Sequence, residues 1–282
     1  MIPQNRNFFV IIVHFGDPNT TTQAVASLLS PTSAPAKILV IDHGTKPLKL
    51  SFSPQQVIVV RPHSNEGYAA GCNLGLGWLG QQGAKPDDIV VCMNNDLVLE
   101  KGAWQELTRW WQERLQPAFA SPSVIETSGN VLHVSTVNWL TGRALPYKPY
   151  RGLLRLFGWP YLHGACVSAP YSAWMRVNGW PQGFNMYWED VALSGRAKTA
   201  RIPLYIISSA QVQHSSQPNT PPTGLRLYHL VRNGAWVLSH QGPFATRFYW
   251  RLINRLRYFW HRLHRHEEIA RAIHDSFTLK LC

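Results

Sequence analysis

The sequence predicts an α/β fold, a mostly parallel sheet flanked by helices, with a helical extension at the C-terminus. Three observations predict it. Through the first half of the chain, short β-branched runs alternate with longer stretches of helical periodicity. Those runs are apolar at every position, the pattern of strands buried on both faces. From about Thr223 onward the composition shifts to arginine, aromatics and leucine.

Phe8–Val13, Ile38–Ile41, Val57–Val60 and Ile89–Met93 read as four buried strands. Between them lie helical stretches. Thr20–Leu29 carries Ala24, Val25, Leu28 and Leu29 at helical spacing, with Asp17 and Asn19 as candidate caps and Pro31 and Pro35 as stops. Gly67–Gly83 presents Leu74, Leu76, Trp78 and Leu79, and a further helix runs from Gly102 to about Leu115. Ser121–Tyr161 is rich in Pro, Gly, Ser and Thr and reads as loops and short strands. A hinge at Pro218–Pro222 divides residues 1–222, the expected catalytic domain, from the basic, aromatic extension 223–282.

Composition bounds the function. Hydrophobic residues make up 45% of 282, enough for a substantial core and too many for wholesale disorder. The four cysteines, Cys72, Cys92, Cys166 and Cys282, lie far apart without a C-x-x-C pair, which excludes the common zinc-ribbon patterns and does not suggest a disulfide framework. No apolar run approaches the roughly 20 residues that cross a bilayer. Six apolar residues after Asn7 are too few for a secretory signal, so a cytoplasmic protein is expected. The net charge of +12 calls for an anionic partner, and it is local: Gly224–His266 holds eight arginines and no acid.

In a parallel sheet of this kind ligands bind beyond the carboxyl ends of the strands. Four polar segments follow strands and fall on that rim: His14–Asp17, Asp42–Gly44, Arg61–Asn65 and Asn94–Asp96. A carboxylate at a strand end, such as Asp96, suits a divalent ion that neutralises phosphate, although a polar turn with Asp96 as a cap has the same sequence. Glu189-Asp190 sits among aromatics, where a carboxyl pKa rises toward the range of a general base. Acids also favour a helix N-terminus, and one residue of the pair can serve each purpose. His214, after the strand-like Leu204–Ile207, has the chemistry of a Mn²⁺ ligand.

Taken together in order, these segments resemble the family 2 glycosyltransferases of the GT-A fold, particularly the rhamnosyltransferase and galactofuranosyltransferase-like branch, over roughly residues 8 to 235. Ile41-Asp42-His43-Gly44-Thr45 looks like "V-D-N-G-S". Asn65-Glu66-Gly67-Tyr68-Ala69-Ala70-Gly71-Cys72-Asn73-Leu74-Gly75 looks like "N-x-G-x-a-x-G-x-N-x-G". Asn94-Asn95-Asp96 stands at "D-x-D", and His163-Gly164-Ala165-Cys166 at "G-A-c". Tyr187-Trp188-Glu189-Asp190 followed by Arg196 resembles "Y-x-E-D-x-x-x-x-x-R". Each motif alone is weak; these five, with His214 falling where the family's metal histidine lies, make six in order with sensible spacing and are strong.

The resemblance implies an inverting transferase that moves a sugar from a nucleotide-diphosphate donor, dTDP-rhamnose or a UDP-sugar, to an acceptor hydroxyl in bacterial surface-polysaccharide synthesis. It implies Asp96 and His214 as ligands to Mn²⁺ or Mg²⁺, Asp190 as base and Glu189 as its orienting neighbour. Asp42, Asn65, Gly67, Gly71, Asn73 and Asn95 would lie at the nucleotide, with Asp42 accepting from the base N3–H. Gly164, Ala165, Trp188 and Arg196 would face donor and acceptor. Two departures stand out: Asn94 replaces the first acid of "D-x-D", and Asn178–Phe184 lacks both acids of "G-G-F-D-E-x-F". A catalytically silent sugar-nucleotide or polysaccharide-binding protein on this fold is the alternative. A nucleotidyltransferase is disfavoured, because His14–Pro18 offers no Lys or Arg to grip a triphosphate.

The implied partners are the nucleotide sugar and a saccharide or lipid-linked saccharide acceptor. In the tail, Phe248, Leu252, Leu256, Phe259 and Leu263 fall on one helical face flanked by Arg247, Arg251 and Arg255. Segment 247–263 therefore suits an anionic membrane surface on the inner leaflet, the catalytic domain, or a second copy in a homodimer. The charge also fits nucleic acid, but no nucleic-acid-binding module is recognisable, and none is expected as a partner.

Overall fold

A computed structural model describes residues 6–29, 34–127, 129, 131–132, 134–146, 158–215 and 222–280. The hinge Pro218–Pro222 and Cys282 therefore fall wholly or mostly outside the described residues.

The first half folds as the hydrophobic pattern predicts. Strands β1 (Phe8–His14), β2 (Lys37–Asp42), β3 (Val57–Val60) and β4 (Ile89–Asn94) are parallel, in the order β3-β2-β1-β4. Helices α1 (Pro18–Leu28), α2 (Tyr68–Gln81) and α3 (Ala103–Gln112) lie close to their expected spans. Asp17 rather than Asn19 caps α1, accepting from the Asn19 N–H, because Pro18 with its preset φ takes the first turn.

Beyond β4 the sheet becomes mixed. It continues through β11 (Cys166–Pro170), β6 (Phe119–Glu126), β12 (Leu204–His214) and β5 (Leu97–Leu99), with β7 (Val131–Leu132) on the edge of β6. β11 is antiparallel to both neighbours, whereas β12 and β6 are parallel, so β6 and β12 run with β1–β4. Segment Ser121–Tyr161, expected as loops and short strands, does hold short strands, and β6 lies deeper in the sheet than its composition suggests. It is a central strand containing Pro122, and β12 bulges between Ile207 and Gln211 opposite the missing N–H. Proline and serine signal a turn locally, but burial on both sides overrides them.

The other elements are β8 (Val134–Asn138), β9 (Arg143–Pro146) and β10 (Gly158–Leu162), which form a small antiparallel sheet, and α4 (Tyr171–Arg176), α5 (Glu189–Thr199), α6 (Leu225–His240), α7 (Phe244–Leu263) and α8 (Glu267–Thr278). One core cluster lies under α1 and α3, and a second under α2, α4 and α5. The third joins Val137, Trp139, Phe184 and Val191 to Val237, Leu238 and Trp250, and so draws from both sides of the expected 222/223 boundary. Asn254, fully buried, donates to the Ala235 carbonyl and Ser239 Oγ, pinning α7 to α6. Cys72, Cys92 and Cys166 are buried and unpaired.

Helix α2 packs on β1 through its glycines. A Cβ at Gly75 would stand 2.7 Å from Ile11 Cγ2, and one at Gly71 would stand 3.0 Å from the Val13 methyls. Gly75→Ala should therefore lower unfolding stability by about 1–3 kcal/mol through overpacking, against the roughly 1 kcal/mol that alanine adds to helix propensity. Denaturant titration checks the sign.

Candidate active site

The carboxyl rim of the sheet gathers most of the expected residues. β4 ends at Asn94, and the turn through Asn95 and Asp96 leads directly into β5. β5 pairs antiparallel with the end of β12, placing His214 opposite Leu97. That register brings Asp96 Oδ2 to 3.2 Å from His214 Nε2, and the Ser215 N–H donates to the Asp96 carbonyl. Asp96 Oδ1 is buried with no hydrogen-bond partner among the described residues. A buried oxygen without a donor, beside an imidazole nitrogen, fits a divalent cation. Among the described residues no group of three or more His, Cys, Asp or Glu gathers as a self-sufficient metal cage. Further ligands would have to come from phosphate oxygens and water, as open Mg²⁺ and Mn²⁺ sites allow.

Glu189 and Asp190 open helix α5 and line a cavity of about 360 Å³ with Asn94, His163, Gly164, Ala165 and Trp188. Asp190 is held at both oxygens: Oδ1 accepts from its neighbour's Val191 N–H at 2.8 Å, and Oδ2 from the Gly164 N–H at 3.2 Å. Glycine at 164 allows this close approach, since a Cβ there would stand 3.0 Å from Asp190 Cβ and press on the carboxylate. Burial raises the Asp190 pKa, opposed by nearby His163 and by these two N–H donors. Burial, and then the charge of Asp190, push Glu189 up to about 8. Glu189 Oε2 is covered and unpartnered among the described residues.

The approach to α5 is strained. Tyr187 and Trp188 both adopt left-handed backbone, with φ of 66° and 71°. Helix α6 holds this turn from outside: the buried Asn233 Nδ2 donates to the carbonyls of Met186 (2.7 Å) and Tyr187 (3.0 Å). Arg232 donates to the Gly183 carbonyl, and Gly234 leaves room for the Trp188 indole, whose Cε2 would lie 2.9 Å from a Cβ. Leu230 of α6 completes the cavity wall. Sequence reading missed Asn233 and Leu230, which lie in the segment set apart as an extension.

His163 is a further residue without an expected role. It lines the same cavity, its ring centroid is 6.4 Å from that of His214, and its Nδ1 is buried without a partner among the described residues. Burial lowers its pKa against the pull of Asp190, which favours the neutral imidazole between the Asp96–His214 pair and Asp190. Its position one residue before the Gly164-Ala165 turn was the available signal.

At the other end of the rim a chain of polar contacts joins four strands. Asn95 Nδ2 donates to the Phe15 carbonyl, Thr20 Oγ1 and Thr21 Oγ1, and Thr21 Oγ1 meets His14 Nδ1 at 2.7 Å. His14 Nε2 faces Asp42 at 3.9 Å. Asp42 accepts from the N–H groups of Gly44 and Leu48 and from Arg61 Nη1. Burial alone would raise the Asp42 pKa; the Leu48 and Gly44 donors and the Arg61 guanidinium together hold it below the ordinary carboxylate range.

Several expected residues have other tasks. Asn65 Oδ1 accepts from the Gly67 N–H, and a Cβ at Gly67, where φ is 91°, would strike the Asn185 backbone. Gly71 makes room for β1. Asn73, expected at the nucleotide, spends both ends of its amide on the Trp180 backbone, at 2.8 Å each. Arg196, expected to face donor and acceptor, instead donates to the carbonyls of Val177 and Asn178 and lines a separate groove with Trp159 and Arg247. Six residues along a helix from Asp190 rotate it well away from the cavity.

The mixed α/β sheet with acids, histidines and a cavity at its carboxyl rim is the frame of an enzyme of the α/β class. Residues 9–173, more than half the chain, match the model of glycosyl transferase family 2, and the chain belongs to that family. It is 24% identical to the N-acetylglucosaminyl-diphospho-decaprenol L-rhamnosyltransferase of Mycobacterium tuberculosis over 276 residues, covering 86% of this chain and 88% of the relative. Among solved structures it is similar to GalNAc-T7 crystallised with UDP, GalNAc and Mn²⁺ (TM-score 0.57, 17% identity), spanning 80% of this chain and about half, 48%, of that one. It is also similar to S. aureus TarS 1-349 (TM-score 0.52, 14% identity), over 84% of this chain and 66% of that one. The fold is GT-A, and the chain is a glycosyltransferase of family 2.

The Glu189 carboxyl makes a test of burial. Unfolded, it ionises near its ordinary 4.5; folded, it holds its proton to about 8. Its contribution to stability is therefore complete at low pH and lost as pH rises through about 8. Glu189→Gln, a neutral mimic, should gain Tm relative to the unsubstituted chain between about pH 5 and about pH 9. Parallel thermal melts check this, and a constant difference across that range would contradict it.

Proposed function

We propose that this glycosyltransferase is inverting and metal-dependent, with Asp190 as general base, Asp96 and His214 as metal ligands, and a lipid-linked saccharide as acceptor. The observation that carries the reading is the Asp190 carboxylate, aimed into the cavity by the Gly164 and Val191 N–H groups and raised in pKa by burial. A base poised this way takes the proton of an acceptor hydroxyl as its oxygen bonds to the anomeric carbon. In the same displacement the bond from that carbon to the diphosphate breaks, and the nucleoside diphosphate leaves. One displacement inverts the centre, so no carboxylate need act as a nucleophile.

Glu189 is protonated over the working range and leaves Asp190 as the ionised member of the pair. His163, neutral and adjacent, lines the path between them and the diphosphate side of the site. Mn²⁺ or Mg²⁺, held by Asp96 and His214, would supply positive charge to the departing diphosphate. The rim from Asn95 to Arg61, with Asp42 and Asn65, is the reading's nucleotide side; Gly164, Ala165 and Trp188 are its sugar side. A rhamnosyl donor, dTDP-rhamnose, is preferred over UDP-sugars because the relative that matches along most of both chains is named a rhamnosyltransferase. That relative's name also motivates a lipid-diphosphate-linked acceptor and a role in assembling cell-surface polysaccharide at the inner face of the membrane.

Incubation with dTDP-rhamnose, Mn²⁺ and a lipid-linked N-acetylglucosamine acceptor should release nucleoside diphosphate, and chelator should stop it. Asp190→Asn should lower kcat by about 10²–10⁴, whereas Glu189→Gln should cost less than about tenfold. Full turnover in Asp190→Asn would refute the base assignment. A donor that binds without any release would make the chain a silent sugar-nucleotide-binding protein.

His214→Ala and Asp96→Ala should each raise the Mn²⁺ concentration needed for half-maximal activity by at least about tenfold, as loss of a ligand does. A metal titration at saturating donor measures it. Unchanged metal demand would separate the pair from the cation.

A further inference from the structure

Helix α7 turns its apolar face away from the protein. Thr246, Trp250 and Asn254 are its buried residues, and Trp250 Nε1 donates to the Trp139 carbonyl of the small sheet's border. The face expected to be covered is bare: Phe248, Leu252, Leu256, Phe259 and Leu263 are 50–80% exposed. At about 100° per residue these five fall within an arc of roughly 80°. Among the described residues, none of the catalytic domain covers this face.

Two features name the occupant. The helix carries five arginines and no acidic residue. On one edge of the apolar arc, Arg251, Arg255 and Arg262 are exposed, and none has an ion pair among the described residues. On the other edge stand Tyr249 and Trp260, exposed aromatics of the kind that settle at a headgroup boundary. Arg251 and Arg255 also line a cavity of about 290 Å³ with His240 and Ser276, a polar recess open to a phosphate beside the apolar face. A second copy docked antiparallel on this face would set one arginine edge against another, and in either orientation it brings no acid of α7 to these arginines, whereas an anionic bilayer meets both the charge and the apolar arc.

We propose that α7 lies in the plane of an anionic membrane, with Phe248, Leu252, Phe259 and Leu263 in the acyl boundary and Arg251 and Arg255 on lipid phosphates. Because α7 packs on α6, whose Leu230 walls the Asp190 cavity, this docking would hold the cavity at a fixed height above the bilayer. Among the described residues no helix is long and apolar enough to cross a membrane, so attachment through α7 is superficial and reversible by salt.

Sedimentation of the full chain with vesicles tests this without any sugar transfer, so its failure leaves the transferase reading standing. The chain should bind vesicles of equal parts phosphatidylcholine and phosphatidylglycerol, bind phosphatidylcholine alone far less, and dissociate at high salt. Arg251→Gln with Arg255→Gln should weaken binding roughly thirtyfold, about fivefold for each charge. Phe248→Ser with Leu252→Ser, both at exposed positions that leave the melt unchanged, should weaken it more than about tenfold. Equal binding to both vesicle types, or to neither, overturns the proposal. A dimer in gel filtration that Phe248→Ser with Leu252→Ser dissociates also overturns it, in favour of a second copy.

Discussion

The pairing of β5 with the last residues of β12 is the constraint on which the site depends. Three residues of β5 run antiparallel to Val212–His214, and the hydrogen-bond register leaves no freedom in which side chain stands beside Asp96. A slip of one residue would turn His214 to the other face of the sheet and separate the imidazole from the carboxylate. β12 is in turn held by a long parallel pairing with β6, so the position of a candidate ligand late in the chain is set by the centre of the sheet.

The second half of the site is organised by strain and its compensation. Two consecutive non-glycine residues with positive φ cost on the order of 1–2 kcal/mol each. Tyr187 and Trp188 adopt that backbone because Asn233 satisfies the carbonyls of the turn and Gly234 admits the indole. The result is that α5 begins at Glu189, with Asp190 facing the Gly164 turn. A polar residue fully buried in α6 therefore supports the geometry of an acid more than forty residues earlier.

These two arrangements explain why the C-terminal helices belong to the catalytic structure. α6 shares a core with α5 and the small sheet, and α7 is fastened to α6 and to Trp139. The outer face of α7 is left uncovered among the described residues. Arg251, Arg255 and Arg262 border that face, whereas Arg226 and Arg232 of the same arginine-rich stretch bond Tyr187 and the Gly183 carbonyl beside the Glu189-Asp190 turn.

Strands β1 to β4, helices α1 to α3 and the rim on which Asp42, Asn95 and Asp96 sit were legible in the sequence. Each depends on local periodicity: an unbroken apolar run, a helical repeat, a polar residue following a strand. Asp190 stood out locally as an acid among aromatics, whereas His214 gained its candidate role only through the order of motifs, since no local signal separates a ligand histidine from a surface one. The tertiary structure decided the rest. It made Pro122 part of a central strand, spent Asn73 on Trp180, turned Arg196 into another groove, and brought His163, Leu230 and Asn233 to the cavity. The physical reason is the same in each case. A side chain's partner is selected by which distant backbone lies within about 3 Å of it, and that distance is set by packing between elements rather than by spacing along the chain.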